Sequence, residues 1–537
     1  MQIGLDGYPY HSQRMPVLAP RGVVSTSQPL AAQAGLRMLQ DGGNAVDAAL
    51  ATGIALTVLE PTSNGIGGDA FALVWDGDTL HGYNGSGRAP ARATIEALHA
   101  AGHDQIPARG WWSVTVPGTP RTWFDLHERF GRLPFERLFE PAIFYAEKGY
   151  PVSPTIGHYW DVAAEKVFAE LEGPEFRPWY DTFAPGGRAP RVGERWSSAA
   201  HATTLRTIAR SNGQDLYEGR LADAIAAFSA ETGGLIARED LAAHRGAWVD
   251  PIQASYRGYD VWEIPPNGQG ITALIALHIL DGLDLAQHPA ESVESYHLQI
   301  EALKLSLIDA KRYVADPEHV DVPVPGLLDP AYAAERRALI GQEAVEPAPG
   351  RPRPGGTIYL CAADADGMMV SYIQSNFMGF GSGIVVPGTG IALHNRGYGF
   401  TAEAGHPNQL APGKRPFHTI IPGFLTREGQ PVGPFGVMGG SMQGQGHMQV
   451  MVKMLDYHLN PQASLDAPRW RWIEGRAVAV EQEVAPEIVE GLQSRGHDIR
   501  RGDSDVTYGR GQIIWRLPDG GYLAGSDKRG DGCAVGY

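Results

Sequence analysis

Residues 341–356 read GQEAVEPAPGRPRPGG, a stretch of Pro, Gly and charge without apolar periodicity, and Thr357 follows directly at the head of an apolar run. A segment of this kind cannot continue a helix or an interior strand, because proline removes backbone donors and glycine has no preferred conformation. The chain therefore divides into residues 1–356 and 357–537. The second part opens with a hairpin pattern: IYLCAAD over 358–364, an Asp366-Gly367 turn, then MMVSYIQS over 368–375.

Upstream, the pattern predicts a helix with Ser27 as N-cap and Pro29 in its first turn, stopped at Asp41-Gly42-Gly43. An Ala-rich helix runs from Ala45 to about Glu60 and ends before Pro61, and Ala70–Trp75 reads as a buried strand turned at Asp76-Gly77. Apolar residues recur at helical spacing from Val293 to about Ala315, closed by Asp316-Pro317. Pro434–Met438 reads as a strand entering Gly439-Gly440, with a helix from near Gln445 whose Met448, Met451 and Met454 share a core-facing side.

A net charge of −16 excludes the basic face that a nucleic-acid partner needs. The start lacks a basic segment followed by an apolar one, and the longest apolar stretch, around Ala48–Leu59, is too short for a membrane span, so a cytoplasmic protein is expected. Two cysteines, Cys361 and Cys533, form no metal-ligand or disulfide pattern. The Gly65–Ala70 run follows a helix rather than a strand, which speaks against dinucleotide binding, and Asp364-Ala-Asp366-Gly367 suits a hairpin better than a calcium loop. Neither a metal nor a cofactor is expected.

A Gly-Gly linker end followed by Thr has a specific chemical use. If the Thr357 hydroxyl attacks the Gly356 carbonyl, the peptide becomes an ester that water cleaves, leaving Thr357 with a free α-amine. That amine can serve as base for its own hydroxyl. Gly439-Gly440, between a strand and a helix, can present backbone N–H groups to the oxyanion that such an attack creates. On these residues alone, two ordinary glycine turns explain the pattern as well.

The ordered set of motifs narrows this. GGNAVDAALATGIALTVLEPTSNGIGGDAF, RAPARAT at 88–94, VPGTP at 116–120, PGGTIYLCAADADG, FGSGI at 380–384, KRP at 414–416, VMGGS at 437–441 and the C-terminal AGSDKRGDGCAVGY together resemble the gamma-glutamyltranspeptidase family of N-terminal nucleophile hydrolases over nearly the whole chain. The resemblance implies an α+β fold, a four-layer αββα sandwich, formed jointly by a large subunit (1–356) and a small subunit (357–537) of one precursor. It also implies cleavage between Gly356 and Thr357, an acyl-enzyme on Thr357, an oxyanion site at Gly439 and Gly440, and a hydroxyl beside the nucleophile at Ser375. The partner is then a small-molecule amide. A homodimer of the processed unit is compatible with this, and a membrane partner is not expected.

The departures bear on the substrate. Where the family binds an α-amino group through an Asn, a Gln and an Asp, this chain carries Phe377, Arg396 and Gly399. The family's carboxylate-clamping Arg aligns near Ser86, two residues from Arg88, and its Ser-Ser pair is replaced by His418-Thr419; the lid segment between Phe400 and Lys414 is short. An added cation and a lost acid disfavour an ammonium group. The chain thus resembles the branch that holds oxamate amidohydrolases and cephalosporin (glutaryl) acylases, with Arg88, Arg396, Asn395, His418 and Thr419 as candidate substrate-binding residues. The alternatives are a true gamma-glutamyltransferase and, in a different class, an uncleaved, inactive relative that binds small acids or peptides.

Overall fold

A computed structural model of the protein describes residues 14–347, 358–502 and 505–537. Gly356 and Thr357, the expected cleavage pair, lie outside the described residues.

Short runs of β-branched and aromatic residues form the strands. Those of the two large sheets are, in chain order, β1 (Val17–Ala19), β2 (Val23–Thr26), β3 (Asp69–Trp75), β4 (Leu80–Asn84), β5 (Ala247–Val249), β6 (Ile252–Tyr256) and β7 (Tyr259–Glu263). After the linker come β8 (Ile358–Ala363), β9 (Met369–Ser375), β10 (Gly423–Arg427), β11 (Gln430–Met438), β12 (Arg510–Arg516), β13 (Tyr522–Ser526) and β14 (Cys533–Gly536). They build two seven-stranded antiparallel sheets, ordered β1-β13-β12-β11-β10-β7-β6 and β14-β2-β8-β9-β3-β4-β5. Strands from before and after the linker interleave in both sheets, so neither part could complete a sheet alone.

The two sheets pack face to face through β8, β9 and β2 on one side and β11, β12 and β13 on the other. Helices α1 (Pro29–Gln40) and α2 (Ala45–Leu59) cover the second sheet, while α3 (Ile271–Asp281), with α4 (Val293–Tyr313) packed on it, and α5 (Met442–Leu455) cover the first. This is the expected αββα sandwich. Every residue of α2 is buried, as an apolar helix between a sheet and further helices must be. Met448, Met451 and Met454 of α5 are core residues, as their spacing predicts.

Two local expectations need correction. The N-cap of α1 is Gln28, whose side-chain oxygen accepts from the N–H groups of Leu30 and Ala31; Ser27 instead donates its hydroxyl to buried Glu60 at 2.6 Å. The longer Gln side chain can reach the helix donors, and Ser27 meets a carboxylate that no local pattern reveals. Helix α5 starts at Met442, directly after the glycine pair and Ser441. The β8–β9 hairpin forms as expected. Asp364 Oδ1 accepts from the N–H groups of Asp366 and Met368, and its Oδ2 accepts from Ala45 N–H at 2.8 Å, so one carboxylate fixes the turn and caps α2.

Candidate active site

Ser375 closes β9 and pairs across the sheet with Asp69, the first residue of β3. The Ser375 hydroxyl accepts from Phe377 N–H at 2.8 Å, and Phe377 adopts φ +76°. A bulky side chain rarely takes that conformation outside places the surroundings over-determine. Its effect is to lay the Phe377 ring under Arg396, whose guanidinium carbon stands 4.1 Å from the ring centroid.

Arg396 is fully buried. One terminal nitrogen donates to Thr419 Oγ1 at 2.7 Å and the other to Ser375 Oγ at 3.3 Å, while its Nε has no hydrogen-bond partner among the described residues. Burial pulls its pKa down to about 9, and the carboxylate of Asp69 opposes that shift. Asp69 is buried as well. Its Oδ1 accepts from the Gly87 and Gly118 N–H groups at 3.1 and 3.2 Å, and its Oδ2 lies 3.1 Å from His418 Nε2. Burial pushes the carboxyl up to about 7 against the pull of Arg396. The same burial, with Arg396 nearby, holds His418 well below the ordinary histidine range and His394 at about 3. The site thus contains neutral imidazoles beside one buried cation and one buried acid.

Gly439 and Gly440 follow β11 with φ +140° and +60°, values that favour glycine. Their carbonyls accept from the Met442 and Gln443 N–H groups at 3.0 and 3.2 Å, in the first turn of α5. Gln269 links this turn to the arginine. Its Nε2 donates to the Gly440 carbonyl at 2.9 Å and to the Thr419 carbonyl at 2.6 Å. A continuous set of contacts therefore runs from the glycine pair through Gln269, Thr419 and Arg396 to Ser375.

Ser375, Arg396, Thr419, Gly439 and Gly440 belong to this set, and His418 adjoins it, turned towards Asp69 with its ring edge against Phe71. Arg88 and Asn395 do not join it. Arg88 donates through Nη2 to both carboxylate oxygens of Glu318 at 2.7 and 2.8 Å and through Nη1 to the Gly413 carbonyl. Asn395 is occupied at both ends by backbone, donating to the Ala108 carbonyl and accepting from Met378 N–H. Asp69 and Gln269 are the site residues that the sequence reading passed over. Asp69 carried a signal, an acid at the head of a wholly apolar strand; Gln269 carried none.

Elsewhere among the described residues, His297, Glu301 and His497 bring three ligand-type atoms within 4.8 Å of one another. The charge of Glu301 is already balanced there by Lys304 at 2.6 Å, and His297 Nδ1 and His497 Nε2 share a hydrogen bond of 2.9 Å. A cation would have to displace an ammonium group. No described helix is long and apolar enough to cross a membrane.

Residues 31–537 match the family model described as gamma-glutamyltranspeptidase. The chain belongs to this family. It is 38% identical to the glutathione hydrolase-like YwrD proenzyme of Bacillus subtilis, across 97% of this chain and 99% of that protein. It is 34% identical to the oxamate amidohydrolase proenzyme of Klebsiella pneumoniae, across 97% and 99%. The crystal structure of cephalosporin acylase from Bacillus halodurans superposes with a TM-score of 0.97 at 55% identity, covering 100% of this chain and 99% of that one. As a gamma-glutamyltranspeptidase relative the chain is an amidohydrolase or acyltransferase, and these relatives, several of them named proenzymes, share its length almost completely.

Proposed function

We propose that the protein is an autoprocessing amide hydrolase in which Thr357, freed by scission of the Gly356–Thr357 bond, takes the acyl group of a small amide bearing a distal carboxylate. The observation that carries this reading is the buried Arg396, aimed at Ser375 and Thr419 and stacked on Phe377. The β8–β9 register pairs Ile358 with Gln374, and Ser375 is the next residue along β9. In the proposed enzyme Thr357 faces Ser375, whose hydroxyl orients it.

The chemistry needs no cofactor. The Thr357 hydroxyl passes its proton to the α-amine of the same residue while its oxygen bonds to the acyl carbon. The carbonyl oxygen gains the negative charge, which the N–H groups at Gly439-Gly440 stabilise. Collapse expels the amine, which takes the proton, and water then cleaves the ester by the same route. Arg396 supplies a planar pair of donors to the distal carboxylate. A gamma-glutamyl donor would bring its ammonium group to Phe377, Arg396 and Gly399, where an apolar ring and a cation replace amide and acid partners. That supports a glutaryl-like or oxamate-like donor over a gamma-glutamyl one.

The test is the purified protein beside Thr357→Ala. The expected result is two chains on a denaturing gel, the smaller beginning at Thr357, with turnover of glutaryl anilide exceeding that of gamma-glutamyl anilide. The variant stays intact and inactive. An intact wild-type chain that hydrolyses these amides, or a strong preference for the gamma-glutamyl donor, refutes the reading.

A further inference from the structure

Arg396 is the guanidinium that contacts Ser375 and Thr419, and Asp69 is the acid paired with Ser375 in the sheet. An anionic acyl donor adds a second negative charge to this buried site. Two anions facing one cation in low dielectric are costly, and the least expensive relief is for one of them to bind a proton.

We propose that Asp69 is the positioning residue of the acyl pocket: it holds His418, balances Arg396 while the pocket is empty, and takes up a proton when a substrate carboxylate reaches Arg396. This rests on the carboxylate-binding role given to Arg396 above.

The geometry supports each part. Asp69 Oδ1 is held by two backbone N–H groups, from Gly87 and Gly118, which fix the carboxylate whether or not it is charged. Its Oδ2 accepts the Nε2–H of neutral His418, so the added proton takes the remaining lone pair of Oδ2. His418 Nδ1 accepts from the Ile420 N–H at 3.4 Å, which fixes the ring hydrogen on Nε2, where it donates to Asp69 and orients the carboxyl. The other charged or titratable groups near Asp69 are His394, whose Nε2 lies 3.7 Å from Oδ1, together with Arg396, Arg415 and Tyr217. His394 is kept neutral by burial and Arg396, at about 9, is still cationic at neutral pH, so the Asp69 carboxyl is the place where a proton can be gained. A carboxyl already pushed up to about 7 changes its occupancy readily at physiological pH. In the bound state the substrate carboxylate replaces Asp69 as the counter-charge of Arg396. One proton enters from solvent for each anion bound, and charge balances.

This makes the affinity for anionic donors fall as pH rises above neutrality, while neutral acyl groups bind without that dependence. Asp69 is the reason for the difference, although it does not touch the reacting atoms.

The experiment is titration calorimetry of the purified protein with 5-oxohexanoate, a glutaryl analogue whose ketone cannot be hydrolysed, in buffers of equal pH and unequal ionisation enthalpy. Between pH 6.5 and 8.5 the probe stays ionised. Proton uptake should rise across that range towards about one per ligand, and binding should weaken by up to tenfold per pH unit above neutrality. The neutral ketone 2-hexanone should bring no uptake. Asp69→Asn should bind 5-oxohexanoate without uptake and without pH dependence. If that variant does not fold, the contrast between the two ketones in the wild type decides. Binding of 5-oxohexanoate without proton uptake, or equal uptake in Asp69→Asn, overturns the proposal alone. Failure of the wild type to bind 5-oxohexanoate overturns the role of Arg396 as well.

Discussion

Arg396 and Arg88 show how two arginines of equal formal charge acquire different work. Arg396 is fully buried with its Nε unbonded among the described residues, whereas Arg88 lies in a half-exposed network in which Arg415 also donates to Glu318. Arg396→Gln should therefore lower kcat/KM for a glutaryl amide by about 10- to 150-fold, equivalent to roughly 1.5–3 kcal/mol for a hydrogen bond to a charged group. An acyl donor without a carboxylate should be nearly unaffected. Arg88→Gln should change KM by less than roughly twofold, since that charge is already paired near the surface. Steady-state kinetics on the paired substrates checks both. Comparison with the family pattern offered both arginines as candidates, because a position in an aligned motif carries no information about which cation meets an acid. Phe377 was legible only as a missing amide; its positive φ and its place under Arg396 came from the packing.

Elements hold these residues by close approach. Gly35 of α1 lies so near α2 that a Cβ there would stand 2.2 Å from Thr52 Oγ1 and 2.8 Å from the Ala48 carbonyl. The hydroxyl cannot retreat freely, because it already donates to that carbonyl at 2.7 Å. Gly35→Ala should cost about 1–3 kcal/mol of stability through overpacking, seen as a lower urea midpoint, with kcat little changed. At the end of β11 the sensitivity is reversed. Gly440→Ala places a side chain at φ +60° and disturbs the N–H groups that the proposed mechanism gives to the oxyanion, so kcat should fall about 10²- to 10³-fold while the fold survives. The helix α2 and the β8–β9 hairpin were readable because their apolar runs and punctuating residues lie close together. The cap of α1 was misread because Glu60, the partner that draws Ser27 away, lies at the far end of the next helix.

For the whole molecule, interleaved strands make the two parts interdependent. A chain broken before Thr357 should still unfold in one transition, with both fragments eluting together under native conditions; separate midpoints for the fragments would contradict this. Acid should weaken the fold. Burial lowers His201 to about 4 and His244, His394 and His497 to about 3, so between those values and the ordinary 6.5 the unfolded chain binds more protons than the folded one. Stability from these groups is complete above pH 6.5 and is lost as pH falls towards 3. Asp69, raised to about 7, acts in the opposite sense, as do the raised carboxyls of Glu60, Glu263, Asp309, Asp364 and Asp466. The histidines, with His278, His297, His406 and His418 lowered as well, outnumber them. Chemical denaturation at pH 7.5 and pH 5 measures the difference.

The sequence by itself determined the strands and apolar helices of a layered sandwich and the glycine turn before α5, all of which depend on neighbours a few residues away. The αββα order and the family followed from many short motifs in one order. Which arginine is buried, where His418 points, and that Asp69 lies across from Ser375 were decided only by tertiary structure. These depend on burial and on pairings between residues hundreds of positions apart, and the energy of a charge is set by what surrounds it rather than by what precedes it in the chain.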